Sequence, residues 1–187
     1  MNNLVDLERP RQARGTDPEA AATVVHPHEQ MAGEYLSFQL GGQEYGLEIL
    51  KVQELRSFEQ PTRIAGSSAM VLGVINLRGI IVPVIDMGAM MGMPPMTKSS
   101  ALTVTILLKI DCYSLGAVVD AVNDVVDIKQ HELRPVPNIR ARSGTLGIQA
   151  MACVGEEGSH NQRLIALLDA HALIASAGIA NLDLSSP

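Results

Sequence analysis

Two carboxylates stand at corresponding places in this chain, Asp86 closing the run Ile-Val-Pro-Val-Ile and Asp169 closing Arg-Leu-Ile-Ala-Leu-Leu. Paired acids contributed by two halves of a chain can share a water and hydrolyse a bond. Such a site needs a small polar residue and a glycine after each acid. Here Met-Gly follows Asp86 and Ala-His follows Asp169. Each acid also precedes a short helical segment, where an aspartate caps the free backbone N–H groups. A two-lobed hydrolase using Asp86 and Asp169 is the enzyme alternative, and it requires both carboxylates within a water's reach.

Met87, Met90, Met91, Met93 and Met96 offer soft thioethers of the kind that bind Cu(I), although methionine more commonly fills irregular gaps between packed lobes. His26, His28, His131, His160 and His171 have no metal-ligand spacing. Cys112 and Cys153 form neither a disulfide framework nor a C-x-x-C pair. Nucleophile-elbow, phosphate-loop and dinucleotide-binding signatures are missing as well. These residues predict a non-enzyme without cofactor or metal.

The element that stands out is Val71 to Asp86, two apolar arms meeting at a tip that carries Arg78. Val and Ile favour extended backbone, and Asn76 and Gly79 bracket a tight reversal, so the segment reads as a β-hairpin. Arms apolar at nearly every position call for cover on both faces, with Arg78 carried outward to solvent or a partner. Upstream, Leu36, Phe38 and Leu40 alternate with Tyr35, Ser37 and Gln39 as in a half-buried strand. Gly41-Gly42 turns the chain into a return arm at Tyr45-Gly46-Leu47, and a third extended piece runs from Val52 to Phe58 before Pro61.

Shifted by 70 positions, this pattern recurs. Gly46 falls on Gly116, Val52 on Val122, Gln53 on Asn123, Glu54 on Asp124 and Leu55 on Val125. With gaps, Pro61 matches Pro135, Gly73 matches Gly147, and Val84-Ile85-Asp86 matches Leu167-Leu168-Asp169. The alternative to a duplication is chance likeness between two Val-rich segments. Five short strands per copy are better closed into barrels than left with open edges. The expected architecture is therefore all-β, two tandem five-stranded barrels, the first over about 34–91 and the second over about 101–177, each followed by a short helix. Residues 1–33 read as a flexible tail, 34–180 as the folded domain and 181–187 as a polar terminus.

Composition narrows the function. A net charge of −6 and 3% aromatic residues disfavour nucleic acid, which needs a basic surface and stacking platforms. No apolar run approaches the roughly 20 residues that span a bilayer, and no signal peptide is legible, so the expected location is the cytoplasm without membrane insertion. Ile49 and Val52 read either as a docking patch or as one side of a half-buried strand. Arg78 reads either as a recognition residue or as an ordinary turn arginine.

Glu44-Tyr-Gly-Leu-Glu-Ile-Leu-Lys-Val-Gln-Glu-Leu-Arg56, Thr62-Arg-Ile64, Gly73 to Asp86 and Val118-Val-Asp-Ala-Val-Asn-Asp-Val125 resemble the CheW-type chemotaxis coupling proteins, over about Glu34 to Ala177. The resemblance implies a scaffold of two SH3-like barrels that joins the cytoplasmic tip of chemoreceptors to a chemotaxis histidine kinase and is recruited to membrane-associated receptor arrays. It also implies that one barrel packs against the regulatory barrel domain of the kinase, and that a groove between the barrels takes the receptor tip. Carried over by position, Ile49, Val52 and Glu54 fall on the segment associated with partner docking. Gly73, Arg78, Val104 and Val125 fall on positions associated with receptor coupling. The same module in a pilus-motility or other chemosensory pathway is the variant reading. The chain departs from the family pattern in its long leading segment, in the loop 154–163 and at Arg140 to Thr145.

Because residues 1–33 lack a periodic apolar pattern, a chain beginning at Ala32 is expected to melt within about 3 °C of full length. A thermal melt of the two checks this, and a larger loss would mean that the leading segment packs.

Overall fold

The computed structural model describes residues 31–136, 147–155, 158 and 161–178. The expectations for the leading and trailing segments and for Arg140 to Thr145 fall wholly or largely outside these residues, as does part of the loop 154–163. In the first half the strands are β1 (Gly33–Leu40), β2 (Gln43–Glu48), β3 (Val52–Ser57), β4 (Val71–Leu77) and β5 (Ile80–Asp86), followed by helix α1 (Met87–Met90). The second half supplies β6 (Val104–Ile110), β7 (Tyr113–Val119), β8 (Ala121–Ile128), the two-residue β9 (Leu133–Arg134), β10 (Ile148–Val154), β11 (Arg163–Leu168) and helix α2 (Ala170–Ala177).

The strands form two sheets, and the sheets do not follow the halves of the sequence. One runs β8-β1-β2-β11-β10-β9 and the other β3-β6-β7-β5-β4. The hairpin β1–β2 leaves its own half and joins the second, while β6–β7 joins the first. A division into barrels at 34–91 and 101–177 is therefore corrected: each barrel takes two strands from one half and the rest from the other. The exchange is sealed by two parallel seams, β2 with β11 and β5 with β7.

Cross-strand registers repeat between the sheets. Leu36 opposes Val125 as Ile106 opposes Leu55, and Gly46 opposes Leu167 as Gly116 opposes Val84. The 70-residue offset thus holds through the first three strands of each copy. Beyond it the sequence matching slips. Val74 pairs with Thr62 as Met151 pairs with Arg134, which sets Pro61 against Leu133 and Gly73 against Ala150, rather than against Pro135 and Gly147. The Gly46 and Gly116 coincidence has a steric cause. A Cβ on Gly46 would stand 2.9 Å from Leu167 Cδ2, and one on Gly116 would stand 3.2 Å from methyls of both Thr105 and Val84.

The largest apolar cluster lies between the sheets. Leu36, Phe38 and Leu40 of β1 meet Ile106, Leu108 and Ile110 of β6 there, with residues of α1 and α2. A second cluster, including Tyr35, Val126, Ile165 and Leu167, belongs to the β1-containing barrel, and a small third one of Leu77, Val82 and Leu107 to the other. Because β1 serves two clusters at once, Tyr35 and Ser37 are as buried as Leu36 and Phe38, and the half-buried strand expected at 34–40 is buried on both faces. Met87, Met90 and Met91 are buried in the inter-barrel cluster, the gap-filling role for which an unbranched, polarisable side chain is suited.

Interleaving makes each half dependent on the other. A fragment of residues 34–91 would expose the inter-barrel faces of β1 and β2 and lack the β7 seam, so it is expected to show no cooperative thermal transition, whereas an equimolar mixture with 92–187 regains native-like circular dichroism. A cooperative melt of 34–91 alone would contradict the interleaved account.

Candidate docking surfaces

Asp86 and Asp169 each open a separate helix. Asp86 accepts from Ala89 N at 3.1 Å and also from Met96 N at 2.6 Å; Asp169 accepts from His171 N at 2.8 Å. Their lone pairs are committed to caps and, for Asp86, to the segment between the halves. The two-carboxylate hydrolase is thereby removed.

The β4–β5 hairpin ends in a two-residue turn, Arg78-Gly79, with φ of 53° and 91°. Positive φ at both central positions is the geometry that a tight hairpin demands, and Asn76 Oδ1 fixes it by accepting from Gly79 N at 2.8 Å. The Arg78 side chain is 80% exposed and lies 3.5 Å from Glu54 on β3. The expected cover on both faces of the arms holds only from Val82 to Asp86. Ile80 and Ile81 are 63% and 47% exposed, because the β7 seam reaches only Val84 to Asp86 and the hairpin tip projects past it. With Leu55, 44% exposed on β3, they add apolar surface at the tip and on the neighbouring edge strand.

The other sequence-derived positions lie elsewhere. Ile49, in a single 3-10 turn (Ile49–Lys51), and Val52 both pack partly buried against the inter-barrel cluster, so they are not the free apolar pair that the sequence allowed. Their exposed neighbour is Leu50. Gly73 is buried at a bulge in β4, and a Cβ there would overlap the carbonyl of Thr62. Its φ of 148° and that close approach make it a backbone device supporting the Thr62–Val74 bridge. Val104 opens β6 opposite Ser57 and Val119 and leans on the same cluster. Val125 is half-exposed on the edge strand β8 of the other sheet. Of the seven positions, Glu54 and Arg78 are the two brought into an ion pair.

Between the barrels, an open cleft of about 440 Å³ is bounded by the β1–β2 turn, the end of β7 and residues 93–98. It is lined by Met93, Pro94, Pro95 and Met96, by Lys98 and Asp120, and by the buried Leu40, Val118 and Val119. Asp120 is itself anchored, accepting from Gly41 N at 2.7 Å.

One cluster went unnoticed in the sequence. Arg163 donates to Asp124 Oδ2 at 2.9 Å and Oδ1 at 2.7 Å, to Ser37 Oγ at 3.1 Å, and to both oxygens of Glu44. Asn123 also donates to Glu44, at 3.1 Å. Four adjacent strands, β8, β1, β2 and β11, are joined by this set. The signal in the sequence was faint: the interior positions of those strands turn polar together at one end, which period-two counting sees only once the strands are aligned. Burial alone would raise the Glu44 carboxyl, but the bonds from Arg163, Ser37 and Asn123 with the Arg163 charge hold it below its ordinary value. The Arg163 hydrogen bonds lower Asp124 and, reciprocally, raise the guanidinium.

Both carboxylates have folded pKa values below the ordinary range, so the stability they contribute is complete above pH of about 4.5 and is lost as pH falls through the lowered values. The melting temperature is expected to drop on acidification below that pH, and Arg163→Met is expected to flatten the drop. Melts across the acid limb check this, and parallel curves for the two proteins would refute it.

The CheW-like domain family matches residues 34–178 of this chain. The chain is 36% identical over 155 residues to "Chemotaxis protein CheW" of Klebsiella aerogenes, covering 83% of this chain and 89% of that protein. It is 33% identical over 145 residues to "Probable chemotaxis protein CheW" of Rhizobium etli, covering 76% and 87%. Among solved structures, the scaffolding protein TtCheW from Thermoanaerobacter tengcongensis superposes with a TM-score of 0.66 at 28% identity, covering 77% of this chain and 93% of that one.

Proposed function

The chain belongs to the CheW-like family, and from that premise we propose that it is a chemotaxis scaffold that couples chemoreceptors to a histidine kinase without catalysing a reaction itself. The observation that carries this reading is the projecting β4–β5 tip, where Arg78 stands largely exposed beside Ile80 and Ile81 at the end of a strand buried from Val82 to Asp86. An apolar surface with a guanidinium is the composition of a protein interface: the isoleucines contribute area, and the fork can make paired bonds to a partner carboxylate or carbonyl. By position Arg78 is associated with receptor coupling, but its ion pair with Glu54 sets it beside the docking segment, so the regulatory barrel domain of the kinase is the proposed partner for the tip and the β3 edge. The cytoplasmic tip of a receptor is the proposed occupant of the region around the cleft between the barrels, where Met93, Pro94, Pro95 and Met96 stand beside Lys98 and Asp120 and offer apolar and charged contacts together. Of the described helices, none is long and apolar enough to cross a membrane, which fits recruitment to receptor arrays through partners.

Arg78 has only an exposed ion pair at 3.5 Å to lose, so Arg78→Glu is expected to change stability by no more than about 0.5 kcal/mol. In a mixture of membranes bearing the receptor, the kinase and this protein, the same variant is expected to abolish receptor-dependent kinase activation, while Arg78→Lys retains part of it. Normal activation by folded Arg78→Glu would overturn the role of the tip. A collapsed melting curve would instead assign Arg78 to the fold.

A further inference from the structure

We propose that Arg163 is a positioning residue, clamping the edge strand β8 so that Val125 is presented in a fixed place to the cytoplasmic tip of a receptor; this rests on the coupling reading of Val125. Among the described residues, β8 is hydrogen-bonded on one side only, to β1. The ladder is interrupted just before Val125: Leu36 pairs with Val125 and Phe38 with Val122, which leaves both Asn123 and Asp124 opposite Ser37. A bulge of this kind loses backbone bonds and re-aims the side chains beside it. At this point side chains hold the strand instead. Asp124 is gripped by two Arg163 nitrogens, and Asn123 bonds to Ser37 at 3.3 Å and to Glu44. The next residue is Val125, half-exposed.

The other barrel shows that its fold does not require such a clamp. By cross-strand register, the place of Arg163 opposite Val154 is taken there by Ile80 opposite Leu77, and that of Ser37 by Leu107. Among the described residues, the cations that approach Glu54, the counterpart of Asp124, are Arg78 at 3.5 Å and Arg56 at 3.9 Å. At the corresponding places one barrel therefore has the buried Leu107, the exposed Ile80 and a loosely paired acid, and its twin has five polar side chains fixing one edge. The difference between them falls on the strand that carries Val125, and fixing an interface in advance removes the entropy loss of ordering it on binding.

The test uses the full chain with Asp124→Asn and Asp124→Glu, read by amide hydrogen exchange, thermal melting and binding to two probes, a receptor-tip fragment and the kinase regulatory domain. Asp124→Asn is expected to melt within about 3 °C of the parent while exchange protection at 122–126 falls about tenfold. Binding to the receptor-tip fragment, the probe that Val125→Asp weakens, is expected to fall about three- to tenfold, binding to the kinase regulatory domain, the probe that Arg78→Glu weakens, is expected to stay within about twofold, and Asp124→Glu is expected to recover most of both losses. Unchanged protection at 122–126, or lost protection with unchanged binding, overturns the clamp, as does an equal loss of protection across both sheets. Should Val125→Asp itself leave the receptor-tip fragment bound, the coupling role of Val125 is what fails. Exchange at 122–126, measured without any partner, then upholds the clamp by its rise or overturns it by its constancy.

Discussion

The exchange of hairpins between the two halves is the constraint on which the rest of the molecule depends. With β1–β2 built into one barrel and β6–β7 into the other, the parallel seams β2·β11 and β5·β7 tie each barrel to strands distant in sequence. The faces of β1 and β6 that look away from their own barrel interiors are then brought against each other, and the largest cluster of the protein forms between the barrels rather than inside either. Aliphatic side chains and three methionines suit that place, since it is an irregular gap between two curved surfaces. It also explains how a chain with so few aromatic residues closes a large core.

The seams dictate details that look arbitrary in isolation. Gly46 and Gly116 lie on seam strands, where a side chain would meet methyls of residues in and next to the seam. Asp86 and Asp169 stand at the ends of the strands paired across those seams and turn the chain into α1 and α2, which complete the inter-barrel cluster. Asp86 does more than its twin, holding the segment between the halves through Met96 N and so fixing one wall of the cleft.

Built on equivalent registers, the two barrels finish their ends differently. One presents Arg78 and exposed isoleucines at a projecting tip; the other draws its arginine inward onto Glu44 and Asp124. A duplicated scaffold with unlike ends presents two unlike surfaces from one interleaved body, which is what the proposed coupling of two partners calls for.

Much was legible in the residues alone, because turns, caps and strand pattern are local. Asn76 with Gly79 specified the hairpin, an aspartate before a helical segment specified each cap, and the repeat of Gly-x₅-Val-Gln/Asn-Glu/Asp specified equivalent strands. What the sequence could not decide is which strands pair. A duplicated chain offers two solutions of nearly equal local merit, each half closing on itself or the halves exchanging hairpins, and the choice rests on burial of β1 and β6 against each other, a contact between residues about 70 apart. The same limit hid the exposure of Ile80 and Ile81, set by where the β7 seam ends, and concealed the Arg163 cluster, whose members are up to 126 positions apart and meet only when four strands lie side by side. Alternation along a strand reports that a side chain faces inward or outward; what it faces is decided by the neighbouring strands.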